Sequence, residues 1–96
     1  KLDLIGLVKL ISGLYNDSLI TNSIIYDCLV TLTLKVNENK WYAIDCLCTM
    51  MNCVMEQFEA NCPDNYKQLT NFLLDLTKDK KIKSKDRFAI MDVLGL

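Results

Sequence analysis

Apolar side chains recur along this chain at intervals of three and four, the spacing that gathers them on one face of an α-helix. In the first segment Leu4, Leu7, Val8, Ile11, Leu14 and Tyr15 form such a stripe. Residues 15–18 (Tyr-Asn-Asp-Ser) interrupt it with side chains that compete for backbone hydrogen bonds and favour turns. Thr21 is a plausible N-cap for a second helix, with Ile25, Cys28, Leu29 and Leu32 facing inward. The β-branched run at 29–34 has strand character, but its stripe stays in register with Ile25 and no hairpin signal follows, so the helix continues. Residues 37–40 mark the next turn. Ile44, Leu47, Cys48, Met51, Met55 and Phe58 then give the clearest amphipathic helix in the chain. Residues 60–65 stop it, and Pro63 suits the first turn of a fourth helix, where its missing N–H costs nothing. Tyr66, Leu69, Leu73 and Leu76 supply that helix's stripe. Ser84 is the N-cap expected for a fifth helix carrying Phe88, Met91 and Leu94 inward.

Five helices joined by short connections predict an all-α fold in which neighbours lie antiparallel, and stacked helical hairpins of the α-solenoid kind are the economical arrangement. Composition agrees. Hydrophobic residues at 51% and charged residues at 24% describe a folded chain. Three Gly and one Pro are too few for the turns of an all-β fold. The apolar runs are short and broken by Lys, Asp and Asn, so no membrane span is expected. With no charged-then-apolar leader and no initiator Met, the chain from Lys1 reads as a piece cut from something longer.

Charge changes the picture at one place. The net charge of −1 speaks against a dedicated nucleic-acid binder. Residues 78–87, however, hold Lys78, Lys80, Lys81, Lys83, Lys85 and Arg87 against Asp79 and Asp86, a local balance of +4 in an otherwise acidic chain. Either this is a solvated loop or it faces an acidic partner. Lys85 and Arg87 stand in the first turn of the fifth helix, where basic groups oppose the macrodipole, which hints at a use elsewhere.

Candidate chemistry is sparse. His is absent, no carboxylate pair is marked by local sequence, and the glycines at 6, 13 and 95 are isolated, so neither general-base catalysis nor a phosphate-cradling loop is indicated. An enzyme is not expected. The five cysteines (28, 46, 48, 53 and 62) are an odd count without a CxxC pair, and Cys46 and Cys48 project to roughly opposite sides of a helix. They read as buried reduced thiols, which points to a cytosolic or nuclear setting; neither a metal nor a cofactor is expected. Trp41 and Tyr42, at the start of the third helix, either tuck into the hairpin junction, the preferred reading, or anchor a partner. The fifth helix is too apolar to read a DNA groove.

Residues 10–32 (LISGLYNDSLITNSIIYDCLVTL), 45–51 (DCLCTMM) and 81–96 (KIKSKDRFAIMDVLGL) together resemble the middle domain of eukaryotic translation initiation factor 4 gamma. Leu14, Tyr15, Thr21, Ile24, Asp27 and Cys28 match its first motif in order. Asp45, Cys46, Leu47 and Cys48 match its Glu-Cys-Leu-Cys helix. Ser84, Arg87, Phe88, Asp92, Val93, Leu94 and Leu96 match its last. Ser12 and Gly13 stand where that family has Gly-Glu, Lys85 stands for Arg, and a glycine near residues 54–56 is missing. The resemblance implies stacked HEAT-like helical pairs, with this chain as the C-terminal portion of the domain. It also implies a cytoplasmic, non-enzymatic scaffold in messenger RNA translation that binds the DEAD-box helicase initiation factor 4A and contacts mRNA. By position, Arg87, Phe88, Lys85 and Lys83 become partner-binding candidates, and Lys78, Lys80 and Lys81 candidates for RNA phosphates. Phe88 also falls on the inward stripe, and core packing is the preferred reading for it. Two alternatives remain: a like-shaped scaffold in nonsense-mediated decay, nuclear cap binding or splicing, and a small regulatory protein-interaction bundle. A solenoid cut before its first helix would expose Leu2, Ile5 or their neighbours and self-associate.

Overall fold

The computed structural model describes residues 3–96 and consists of five α-helices: α1 (Leu4–Asn16), α2 (Asn22–Asn37), α3 (Tyr42–Asn61), α4 (Pro63–Leu76) and α5 (Ser84–Leu94). No strand occurs among the described residues. Each helix begins and ends where local chemistry dictates. The Asp3 carboxylate accepts from Gly6 N–H (3.0 Å) to cap α1, and the Thr21 hydroxyl accepts from Ile24 N–H (3.3 Å) to cap α2, as expected for Thr21. Pro63 opens α4. Three helices end with a residue in the left-handed region: Ser18 (φ 63°), Asn39 (φ 64°) and Gly95 (φ 74°). In each case the following N–H closes a six-residue loop onto the helix, Leu19 on Leu14 (2.8 Å), Lys40 on Lys35 (3.0 Å) and Leu96 on Met91 (2.9 Å).

α3 packs against all four other helices. Its buried arc is therefore wide, and only the face of Asp45, Asn52, Glu56 and Glu59 is left to solvent. Ala43, Ile44, Cys46, Leu47, Cys48, Met50, Met51, Val54 and Phe58 are all buried, which is why Cys46 and Cys48 sit in the core although they point in different directions. Phe58 lies between Tyr15, edge-on at 6.3 Å, and Tyr26, stacked at 6.2 Å. The ends of the helices fix their directions. Tyr15, near the end of α1, donates to Asn22 Oδ1 at the start of α2 (2.6 Å) and accepts from Asn61 Nδ2 at the end of α3 (3.4 Å). At the other pole, Leu4 of α1 shares a cleft with Tyr42 and Cys46 of α3. So α1 and α3 run parallel with α2 antiparallel between their ends, and α4 and α5 form a second hairpin on the other side of α3.

Two inward assignments and one cap change. In α1 the buried line is Val8, Ser12 and Tyr15, with the Ser12 hydroxyl donating to the Val8 carbonyl (2.8 Å), whereas Leu4 and Leu7 are exposed because the stripe is wider than the contact with α3. In α5 the buried residues are Ile90 and Val93, not the expected line of Phe88, Met91 and Leu94. Two residues from Ile90, Phe88 is turned about 200° around the helix and stands in solvent. Ser84 is not the N-cap either. Ile82 is pinned in the core, one extended residue (Lys83) follows, and the first turn closes with Arg87 N–H on the Lys83 carbonyl (3.0 Å), making Ser84 the first helical residue. Of the residues expected to self-associate, Leu2 lies outside the described residues and Ile5 is half-buried against the core.

Candidate partner-binding corner

The connection from α4 to α5 builds a rigid basic corner. Ile82, 5% exposed, plugs the loop into the core. Above it the Arg87 guanidinium reaches back from α5. Its Nε donates to the Thr77 carbonyl (2.8 Å) and its Nη2 to the Asp79 carbonyl (3.0 Å), so one planar fork closes the end of α4 and holds the loop. The Asp79 carboxylate accepts from Lys81 N–H (2.9 Å), and Ile82 N–H approaches the Asp79 carbonyl (3.3 Å). Thr77, Lys78 and Asp79 amides close onto the last turn of α4. The lysines contribute only backbone groups to these bonds, and their side chains take no part in holding the corner.

The lysines are what remains outside. Lys78, Lys80, Lys81, Lys83 and Lys85 are all exposed, and none is in an ion pair among the described residues, where the salt bridges join Lys35 and Lys40 to Glu38. Phe88, 67% exposed, projects one turn beyond Lys85 on α5. An exposed aromatic ring beside unpaired cations could combine an anchor with electrostatic steering of an acidic partner. Of the expected partner-binding residues, Lys83, Lys85 and Phe88 are displayed together, while Arg87 is committed to holding the loop. Lys78, Lys80 and Lys81 line the same loop. Spacing alone did not reveal the role of Arg87; the one signal was a basic side chain in a helix first turn, where it opposes the dipole.

The thiols of Cys28, Cys46 and Cys48 are raised, chiefly by burial and secondarily by nearby carboxylates, and Cys48 is pushed up to about 12. They stay protonated at neutral pH and are poor nucleophiles. Burial also raises the Tyr15 phenol, opposed by its bond from Asn61. Cys53 alone of the five cysteines is exposed, and no group of three or more His, Cys, Asp or Glu side chains that could hold a metal occurs among the described residues. A surface cavity of about 660 Å³ is lined by Asn16, Asn52, Cys53, Met55, Glu56 and Gln57, without a base–nucleophile pair. Trp41 is half-buried against the core, as preferred, while its neighbour Tyr42 is exposed. No helix among the described residues is long and apolar enough to cross a membrane.

Helical hairpins packed around a common central rod define an all-α fold of HEAT-like architecture. The MIF4G domain family matches residues 1–96, and the chain belongs to that family. It is 29% identical over 93 residues to mouse eukaryotic translation initiation factor 4 gamma 1, and 30% identical over 94 residues to human eukaryotic translation initiation factor 4 gamma 3, alignments that each cover 96% of this chain. A rice protein, eukaryotic translation initiation factor 4G, is 23% identical over 94 residues. The chain spans about 6% of the length of the first two relatives. No solved structure matches it.

Proposed function

We propose that this chain is a non-enzymatic, cytoplasmic scaffold module of translation initiation, forming the C-terminal portion of a middle domain. Its lysine corner and Phe88 bind a DEAD-box helicase of the initiation factor 4A kind. The observation that carries this reading is the set of five unpaired lysines held beside an exposed phenylalanine by the Arg87 fork. The names of the similar proteins support translation initiation over decay, nuclear cap binding or splicing. A module without a base–nucleophile pair acts by binding one conformation of its partner better than another. Here it would hold the two helicase lobes in a productive orientation, which shifts their population without chemistry of its own.

Lys83, Lys85 and Phe88 make the protein contact in this reading, and Lys78, Lys80 and Lys81 are free to meet mRNA phosphates. The two roles separate by salt. Three phosphate contacts to a single strand give a slope of log affinity on log salt of about −2. An aromatic anchor in a dry pocket loses little to salt. The test is calorimetric titration of initiation factor 4A and of a poly(U) oligonucleotide into the chain. Phe88→Ala is expected to weaken helicase binding at least tenfold and leave RNA binding unchanged. Charge reversal at Lys78, Lys80 and Lys81 is expected to abolish RNA binding. Unchanged helicase affinity in both Phe88→Ala and a Lys83→Glu/Lys85→Glu variant would remove the corner from the helicase contact.

A further inference from the structure

Ser84 stands in the middle of the lysine corner without a structural task there. It is exposed as the first residue of α5, whose start has no side-chain cap. The side-chain hydrogen bonds that hold the corner run to the Asp79 carboxylate and from the Arg87 guanidinium, and none uses the Ser84 hydroxyl. Elsewhere in the chain a free hydroxyl is uncommon. Every threonine hydroxyl and that of Ser12 are hydrogen-bonded to nearby backbone. Ser18 and Ser23 share the freedom of Ser84, but not its surroundings. Ser18 follows Asn16 and Asp17, and Ser23 follows Thr21 and Asn22. Ser84 alone has cations on both sides: Lys81 three residues before it, Lys83 immediately before and Lys85 immediately after, all exposed.

An exposed hydroxyl amid basic side chains suits the acidic cleft of a protein kinase, which selects its substrates by their charge pattern and takes them extended. Lys83 is already extended (φ −68°, ψ 151°). The turn after it has no side-chain cap and sets Lys85 and Arg87 against the dipole, so it opens more easily than a capped turn and continues the extended segment past Ser84. The transfer balances with magnesium-bound ATP. The Ser84 oxygen bonds to the γ-phosphorus as the bond from that phosphorus to the β–γ bridging oxygen breaks; ADP leaves, and the hydroxyl proton passes to the kinase's catalytic aspartate. The phosphate carries a charge of about −1.5 to −2, which cuts the local balance of +4 at residues 78–87 to about +2. It stands at the N-terminal end of α5, where the dipole favours an anion, so the modified chain stays folded.

We propose that Ser84 is a phosphorylation site for a serine/threonine kinase selective for basic segments, and that its phosphate closes the corner to RNA. The first half stands on the geometry and charge around Ser84. The second rests on the RNA contact proposed above for Lys78, Lys80 and Lys81.

The test incubates the folded 96-residue chain with magnesium–ATP and the catalytic domain of protein kinase C, a kinase of that selectivity, and maps the phosphate by mass spectrometry of the peptides. One phosphate on Ser84, with none on Ser18 or Ser23, is expected. Lys81→Glu/Lys83→Glu is expected to slow the transfer about tenfold, with circular dichroism checking that the variant is folded. A folded chain that stays unmodified at Ser84 overturns the proposal; a peptide of residues 78–88 modified under the same conditions then shows that the fold seals the hydroxyl. Transfer indifferent to the charge reversal, or as ready at Ser18 and Ser23, overturns it too. Calorimetric titration of the poly(U) oligonucleotide into modified and unmodified chain at low salt reads the consequence, an expected loss of affinity of about tenfold. Phosphate on Ser84 with RNA affinity unchanged would overturn the second half and remove the corner from the RNA contact, leaving the modification site standing.

Discussion

Replacing Arg87 by alanine removes the fork that holds the α4–α5 connection, and the structure sets the size of the loss. Two hydrogen bonds from a charged donor disappear, to the Thr77 carbonyl (2.8 Å) and to the Asp79 carbonyl (3.0 Å). A bond to a charged group contributes about 1.5–3 kcal/mol when removed from a buried site. Arg87 is only half-buried, so water recovers part of the loss at both carbonyls, and about 2 kcal/mol is expected for the pair together. For a domain of 96 residues that loss lowers the Tm by about 10 °C. Urea unfolding followed by circular dichroism measures the free energy. Arg87→Lys separates geometry from charge, because an ammonium cannot span both carbonyls and is expected to recover at most half. Hydrogen exchange gives the local readout, with the Lys81 and Ile82 amides losing protection first. An Arg87→Ala chain within 0.5 kcal/mol of the parent, with unchanged exchange at those amides, would refute the fork as the element that orders the corner.

Phe88→Ala, by contrast, is expected to change stability by less than about 0.5 kcal/mol, since the ring is in solvent and touches no core; urea midpoints of the two chains check it. Ser18→Gly is expected to stabilise by roughly 0.5–1 kcal/mol, because Ser18 holds a left-handed conformation that glycine adopts without strain. Thermal melts decide the sign. Alkaline pH is expected to destabilise the fold from pH 9 upward. The Cys48 thiol has its ordinary value of 9.0 in the unfolded chain and about 12 in the folded one, so its contribution is complete below pH 9 and lost as pH climbs toward 12. Urea unfolding of the parent and of Cys48→Ala across that range measures it, the variant showing the shallower decline. At neutral pH a thiol reagent is expected to label the exposed Cys53 first and Cys46 and Cys48 only on unfolding, which peptide mapping checks.

How much of this was legible in the sequence depends on whether a face was unique. The five helices, the turns at residues 15–18 and 37–40, the Thr21 cap and the Pro63 start all rest on local chemistry, and all stand where that chemistry puts them. The burial of Ile25 and Leu29 follows from a stripe with no rival. α5 has two rival stripes, Phe88–Met91–Leu94 and Ile90–Val93, both at the same helical spacing. The compact β-branched pair faces the interior, and nothing in the local pattern favoured it. In α3 the expected stripe is buried at Ile44, Leu47, Cys48, Met51 and Phe58, and the added burial of Ala43, Cys46, Met50 and Val54 beside it comes from packing against four other helices, a property of tertiary position. At the corner, charge clustering marked lysines that the structure leaves exposed, but the fork from Arg87 to the Thr77 and Asp79 carbonyls spans ten and eight residues and leaves no periodic trace.

The claim on which the functional reading turns is that the α4–α5 corner is the contact surface for the helicase. Nuclear magnetic resonance of the isotope-labelled chain titrated with unlabelled initiation factor 4A measures this residue by residue. Shifts and line broadening concentrated at residues 78–88, with the α1–α2 side undisturbed, are the predicted result. Perturbations confined to the α1–α2 side, or a corner whose signals do not move at saturation, would contradict it.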